Sequence, residues 1–197
     1  MSVRSVVGIS GSPKRSSRTT AIVKALLDAI EEETPSETKL TELVDAAPHL
    51  FAALSRGALL ENERASAIIQ AIESADIIVV GTPVYRASYT GALKHVFDLV
   101  HHEALTGKIV ILAATGGSLL HGLVIEHQLR PLFGFFNALT VPTTIYATEQ
   151  DFADFKIINP GIHARIARAA REAVELLPSR KSTAASVSDV SPSAIPA

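Results

Sequence analysis

The reading of the fold starts at Gly8-Ile9-Ser10-Gly11-Ser12-Pro13-Lys14-Arg15-Ser16-Ser17-Arg18-Thr19-Thr20. An apolar run, Val3 to Ile9, precedes it, and a helical pattern, Ala21 to Ile30, follows it. The stretch therefore reads as the turn after a first strand, running into the N-terminus of a first helix. Such a turn presents backbone N–H groups and the positive end of a helix dipole. Here it adds hydroxyls (Ser10, Ser12, Ser16, Ser17, Thr19) and cations (Lys14, Arg15, Arg18). Donors, cations and a helix end together describe a phosphate cradle. The pattern is neither G-x-x-x-x-G-K-[ST] nor G-x-G-x-x-G, which argues against a P-loop and against a dinucleotide turn. Asp45 follows the second strand candidate, but carries little weight without that glycine pattern. A polar surface turn with a hydroxyl helix cap would use the same residue types.

Outward from this turn, strand and helix patterns alternate. Thr20 to Glu33 carries Ile22, Val23, Leu26, Leu27 and Ile30 at helical spacing. Glu37 to Leu43 alternates and reads as a half-buried or edge strand. Val44 to Leu60 is less regular and reads as loop with room for a short helix, and Glu61 to Ser74 reads as helix. Asp76 to Gly81 is an unbroken β-branched run, as in a central parallel strand covered on both faces. Thr90 to Val100 reads as a helix capped by Thr90, Lys108 to Ala114 as a buried strand and Leu123 to Leu139 as one long helix. Thr140 to Ala147 reads as a last strand, with Pro142 near its start or at an edge position. Pro160 to Leu177 reads as a closing helix. The pattern predicts an α/β fold: a doubly wound, flavodoxin-like parallel sheet of five strands in the order 2-1-3-4-5. Residues 1–178 would form this domain, and the Ser/Ala/Pro-rich 179–197 a disordered tail.

The chain has 197 residues, a net charge of −2 and no cysteine. No long basic run points to nucleic acid. The lack of cysteine excludes disulfides, thiol catalysis and cysteine-ligated metals. No apolar run approaches the ~20 residues of a membrane span, and no signal-peptide pattern opens the chain. The expectation is a soluble cytoplasmic protein without a membrane or nucleic-acid partner. His101 and His102 are adjacent and expected to point different ways, so no metal site is read from the seven histidines.

In the expected topology three loops meet beyond the strand C-termini, at the switch between strands 1 and 3. They are Ser10 to Thr19, Pro83 to Tyr89 and Thr115 to Ser118. Pro83, Val84, Tyr85 and Arg86 offer rigid backbone, an aromatic and a cation. Thr115, Gly116 and Gly117 let backbone approach a flat ring closely. A planar, edge-polar ring on a single phosphate is a description of FMN. Hydride transfer to such a ring needs positioning rather than a protein nucleophile, so no catalytic side chain is expected.

At these residues the chain resembles the NAD(P)H-dependent FMN reductase family. It is most similar to the flavin reductases of bacterial two-component sulfonate monooxygenases, of the methanesulfonate or alkanesulfonate type. The resemblance rests on Gly11-Ser12-Pro13 with Ser17-Arg18-Thr19 and on Gly81-Thr82-Pro83-Val84-Tyr85-Arg86-Ala87-Ser88-Tyr89-Thr90-Gly91-Ala92-Leu93-Lys94. It continues through Leu112 to Gly117 and Leu129 to Phe136. It implies that Ser12, Ser17, Arg18 and Thr19 hold the FMN phosphate. Pro83, Val84, Tyr85 and Arg86 would line the isoalloxazine, and Thr115, Gly116 and Gly117 would close its other edge. Ser10 joins the cofactor set from its place at the strand end. The resemblance further implies NADH or NADPH as hydride donor, a homodimer or homotetramer, and an FMNH2-dependent monooxygenase as partner. Some sulfonate-type members carry a π-bulge in the fourth helix, at a position that corresponds here to His127. Two other functions share the site: a reductase of quinones or azo dyes that keeps FMN tightly bound, and a flavodoxin-like electron carrier. The apolar helix Leu123 to Leu139 also suggests a subunit interface, because a helix packed only on its own sheet leaves a polar outer face.

Overall fold

A computed structural model describes residues 3–177; the expected disordered tail, 179–197, and the domain's outermost residues lie outside these. The elements are β1 (Arg4–Ser10), α1 (Arg18–Glu33), β2 (Ser36–Glu42), α2 (Leu43–Phe51), α3 (Glu63–Ser74), β3 (Ile77–Pro83) and α4 (Gly91–Leu99). They continue with β4 (Ile109–Gly116), α5 (Arg130–Phe135), β5 (Leu139–Thr140), β6 (Ile145–Thr148), β7 (Phe152–Ala153), β8 (Lys156–Ile157) and α6 (Pro160–Glu175). The parallel sheet runs β2-β1-β3-β4-β5, with β6 also paired to β4. This is the flavodoxin-like order expected from the sequence.

Alternate residues of each central strand feed opposite faces. Val7, Ile9, Ile78, Val80, Val110 and Leu112 pack with α2 to α5, around Leu93, Phe97, Phe133 and Phe136. Val6, Ile77, Val79, Ile109 and Ile111 pack with α1 and α6, around Leu26, Ile30, Ile166 and Ala170. Burial on both faces explains the unbroken apolar runs of β3 and β4. α1 lies close on the sheet: a Cβ at Gly81 would sit 2.5 Å from Val23 Cγ2, and one at Gly8 2.8 Å from both Val23 Cγ1 and Leu27 Cδ1. Glycine is what lets the helix seat there.

The short helix allowed for after β2 is present as α2, nine residues with Pro48 inside it, followed by a 3-10 turn at Gly57–Glu61. Two other expectations need correction. The fifth strand is broken into β5 and β6, both beside β4. Pro142 lies in the gap, has no N–H for a ladder bond, and so interrupts the strand. The long helix expected over Leu123 to Leu139 is a 3-10 turn at Leu119–His121, a π-helical turn at Ile125–Leu129 and the short α5. The Arg130 amide reaches back to the Ile125 carbonyl, the wider π register. Pro131, next in line, has no amide to give His127's carbonyl, so an α-register bond is unavailable there. The π-bulge implied for His127 is therefore present. A β-hairpin, β7 with β8, had no counterpart in the sequence reading. Among the described residues, no helix is long and apolar enough to cross a membrane.

Candidate active site

The first loop is held at its base by backbone. The Gly11 amide donates to the Gly81 carbonyl at 2.7 Å, and the Thr90 hydroxyl donates to the Gly11 carbonyl at 2.9 Å. Thr90 also caps α4, accepting from the Leu93 amide at 3.2 Å. One residue thus ties the start of the first loop to the helix that follows the second. Ser12 is buried, and its hydroxyl closes a small turn on the Lys14 backbone. Ser16 adopts a left-handed backbone, φ 56°. Ser17 then caps α1 by accepting from the Thr20 amide at 3.3 Å. That cap leaves the amides of Arg18 and Thr19, the first two of the helix, without an intrahelical acceptor.

The other two loops are laced to it. Thr19 and Thr115 share a buried hydroxyl–hydroxyl bond of 2.7 Å. The Val84 amide donates to the Thr115 carbonyl at 2.8 Å. Tyr85 and Ser88 exchange backbone hydrogen bonds of 2.9 and 3.1 Å. Between them Arg86 and Ala87 take φ values of 51° and 64°. A tight turn with two left-handed non-glycine residues is costly, about 1–2 kcal/mol for each. It holds Tyr85 at the cleft, with the residue 43% exposed. On the third loop, the Tyr146 hydroxyl donates to the Ser118 carbonyl at 2.5 Å, and burial raises this phenol above its ordinary pKa. A Cβ at Gly116 would lie 2.1 Å from that hydroxyl oxygen, whereas a Cβ at Gly117 would meet nothing within 4 Å.

These loops enclose a cleft of about 440 Å³, within the ~300–1,000 Å³ usual for small-molecule sites. Ser12, Ser17, Arg18 and Thr19 line one end, and Pro83, Val84, Tyr85, Thr115, Gly116 and Gly117 the rest. Two expected residues fall outside its lining. Ser10 is fully buried, with its hydroxyl bonded to Thr20 at 2.8 Å, and Thr20 donates on to Glu42 at 3.1 Å. It fastens β1 to α1 and β2 instead. Arg86 is exposed in its turn, as one of the left-handed pair, and does not line the cleft.

The cleft has further walls. Lys14, Arg15 and Ser16, which the sequence reading placed in the first loop but not in the cofactor set, line the same end as Ser17 and Arg18. Phe155 joins them from the β7–β8 hairpin, whose turn residues Asp154 and Phe155 have φ values of 46° and 61°. Ala153-Asp154-Phe155-Lys156 lacks the Asn-Gly or Asp-Gly signal of such turns, so nothing local announces it. Arg18 forms an ion pair with Glu149, and Arg15 with Asp45. Glu149 opens a short 3-10 turn at Glu149–Asp151, fixed by Asp151. Burial pushes the Asp151 carboxyl up, but bonds from Asn159 and from the Thr148 amide and hydroxyl outweigh it and hold it below the ordinary value.

His121 and His127 are exposed and border a separate recess with Leu120 and Leu123. His127 is therefore no core residue of this chain. His101 and His102 do not diverge as expected: their ring centroids lie 4.3 Å apart. With Glu103 they place ligand atoms within 4.8 Å of one another, at the surface and away from the cleft.

The donor set fits a phosphate followed by a flat ring: helix-end amides, hydroxyls and cations at one end, then a proline, a tyrosine and open glycine backbone. Comparison with known proteins agrees. The family model for NADPH-dependent FMN reductase matches residues 4–153. The NADH-dependent FMN reductase SfnF of Pseudomonas fluorescens (strain Pf0-1) is 51% identical over 171 residues, 87% of this chain and 90% of that protein. An FMN reductase (NADPH) of Pseudomonas aeruginosa is 44% identical over 175 residues, 89% and 93% of the two chains. The solved apo structure of an NADH:FMN oxidoreductase (EMOB) superposes with a TM-score of 0.81 at 31% identity, covering 92% of this chain and 94% of the other. The chain belongs to the NADPH-dependent FMN reductase family, flavodoxin-like oxidoreductases that work with FMN and a nicotinamide.

Proposed function

We propose that this protein is a two-component FMN reductase. NADH or NADPH reduces FMN in the cleft, and reduced FMN leaves for a separate FMNH2-dependent monooxygenase of the sulfonate type. FMN supplies the two-electron chemistry when bound. The observation that carries the reading is the convergence of a phosphate-type helix end and a flat, glycine-edged slot at the β1–β3 switch point. In this reading Ser12, Ser17, Arg18 and Thr19 bind the phosphate. Pro83, Val84 and Tyr85 orient the ring, and Thr115, Gly116 and Gly117 set its far edge. Phe155 covers the phosphate end. No side chain need take or give a proton, in keeping with a cleft built of hydroxyls, amides and cations. The similarity to proteins named SfnF supports the sulfonate setting. A cytoplasmic location goes with the reading, since reduced nicotinamide is supplied there.

The test is anaerobic stopped-flow with NADH or NADPH, with and without added FMN. Protein that purifies nearly colourless and reduces added FMN in steady turnover bears the reading out. Protein that purifies yellow and reduces only its own flavin favours the tight-FMN quinone or azo reductase. A chain that oxidises neither nicotinamide is a carrier.

The same reading includes a homodimer or homotetramer. Its support is an apolar surface beside the π turn: Leu119, Leu120, Leu123 and Phe135 are 78%, 90%, 63% and 68% exposed. Light scattering at micromolar concentration is expected to return a multiple of the chain mass; a monomer mass overturns it.

A further inference from the structure

The arginines of the phosphate end are not waiting for a ligand. Arg18 is already paired with Glu149, a partner 131 positions away along the chain, and Arg15 with Asp45 from α2. Both pairs cross between elements, so they arise from the fold and not from helical spacing. Arg18 also stands between two spaces. One is the main cleft. The other is a recess of about 190 Å³ lined by Glu149, Phe152, Asp154 and Phe155. The recess is acidic, and Arg18 is turned to its carboxylate. Glu149 is presented there by a fixed turn: Asp151 accepts from the Thr148 amide at 2.7 Å and from Asn159 at 2.5 Å.

A phosphate entering the cleft must compete for the guanidinium with a carboxylate the protein carries itself. It also meets that carboxylate's own charge across the arginine. Like charges near one site disfavour each other, and an arginine shared between two anions binds each less tightly than it would alone. We propose that Glu149 is a built-in competitor for the flavin phosphate: it occupies Arg18, weakens FMN binding and hastens FMN release. The proposal rests on the reading of the cleft as the FMN site. It explains how a cradle with several donors can still give its flavin away.

The test is a fluorescence titration of the full-length protein with FMN, and in parallel with riboflavin, which has the same ring without the phosphate. Glu149→Gln is expected to tighten FMN by about three- to tenfold at low salt, an interval set by a partly exposed ion pair plus the relieved repulsion. Riboflavin affinity is expected to change by less than about twofold, since no phosphate contact is involved. The FMN dissociation rate is expected to slow in proportion. In an Arg18→Ala background, Glu149→Gln is expected to give a smaller gain. Wild-type protein that binds FMN, beside a Glu149→Gln variant that binds it no tighter, overturns the proposal alone. So does a variant that tightens riboflavin as much as FMN, because the effect then lies at the ring. A wild type that binds neither flavin overturns the cleft reading, and the proposal with it.

Discussion

Two segments deliver loops to the same cleft, and they are built in opposite ways. After β1 the chain enters α1, sixteen residues of regular helix with its cap at Ser17 and one face buried on the sheet. After β4 it breaks into a 3-10 turn, a π turn and a six-residue helix. α1 hides its large apolar residues within the chain. The second segment buries Ile125, Leu129 and Phe133 and leaves Leu119, Leu120, Leu123 and Phe135 in solvent. The first region is finished by its own chain; the second exposes an apolar surface that a further copy can cover. Regular periodicity thus goes with self-sufficient packing here, and broken periodicity with apolar side chains left in solvent.

The largest expected effect tests that contrast directly. Leu120→Glu with Leu123→Glu should break the proposed homo-oligomer, at a cost of about 3–6 kcal/mol per protomer if both side chains are buried by a second copy. Monomer stability should move by less than about 0.5 kcal/mol, since both are exposed in the single chain. Light scattering with urea unfolding reads the two numbers; an unchanged mass breaks the contrast. Gly81→Val should do the reverse. Its side chain meets Val23 under α1, so monomer stability should fall by about 2–3 kcal/mol, seen as a lower urea midpoint.

The third-loop glycines sharpen the comparison at the cleft itself. Gly117→Val has open space and should keep the melting temperature while weakening FMN by about 1–2 kcal/mol, through crowding of the slot. Gly116→Val, which collides with the Tyr146 hydroxyl, should lower the melting temperature as well. Equal melting losses in the two variants would mean that Tyr146 gives way freely.

The smallest effect concerns acid. The Asp151 carboxyl is lowered in the folded chain, so its contribution is present above the unfolded value of 3.8 and fades as pH falls through the folded one. After discounting for solvent exposure, Asp151→Asn should cost about 0.5–1 kcal/mol at neutral pH. The gap to wild type should close below pH 3.8. A gap that persists in acid would assign the effect to packing rather than to the charge.

Much of the cleft lining was legible because its signals are local. Hydroxyls and cations before a helical pattern, a Pro-Val-Tyr loop and a Thr-Gly-Gly turn each lie within a few residues, and the strand order brings them together. Ser10 stands behind the cleft lining, and a hydroxyl at a strand end looks the same in sequence whether it faces a cleft or meets Thr20. Arg86 lies outside the lining at an exposed position of a left-handed turn, which no glycine announces locally. Phe155 had no signal, since its hairpin lacks glycine at both turn positions.

The sequence by itself determined the sheet, its order and the three loops, because burial on both faces and helical spacing write themselves into nearest neighbours. It also determined the family, through motifs that sit on those loops. Only the tertiary structure decided which cations are already paired, where Pro142 and Pro131 break the regular pattern, and which apolar residues reach solvent. Those outcomes depend on partners distant along the chain, Glu149 for Arg18 and Tyr146 for Gly116, and no local pattern encodes such a distance.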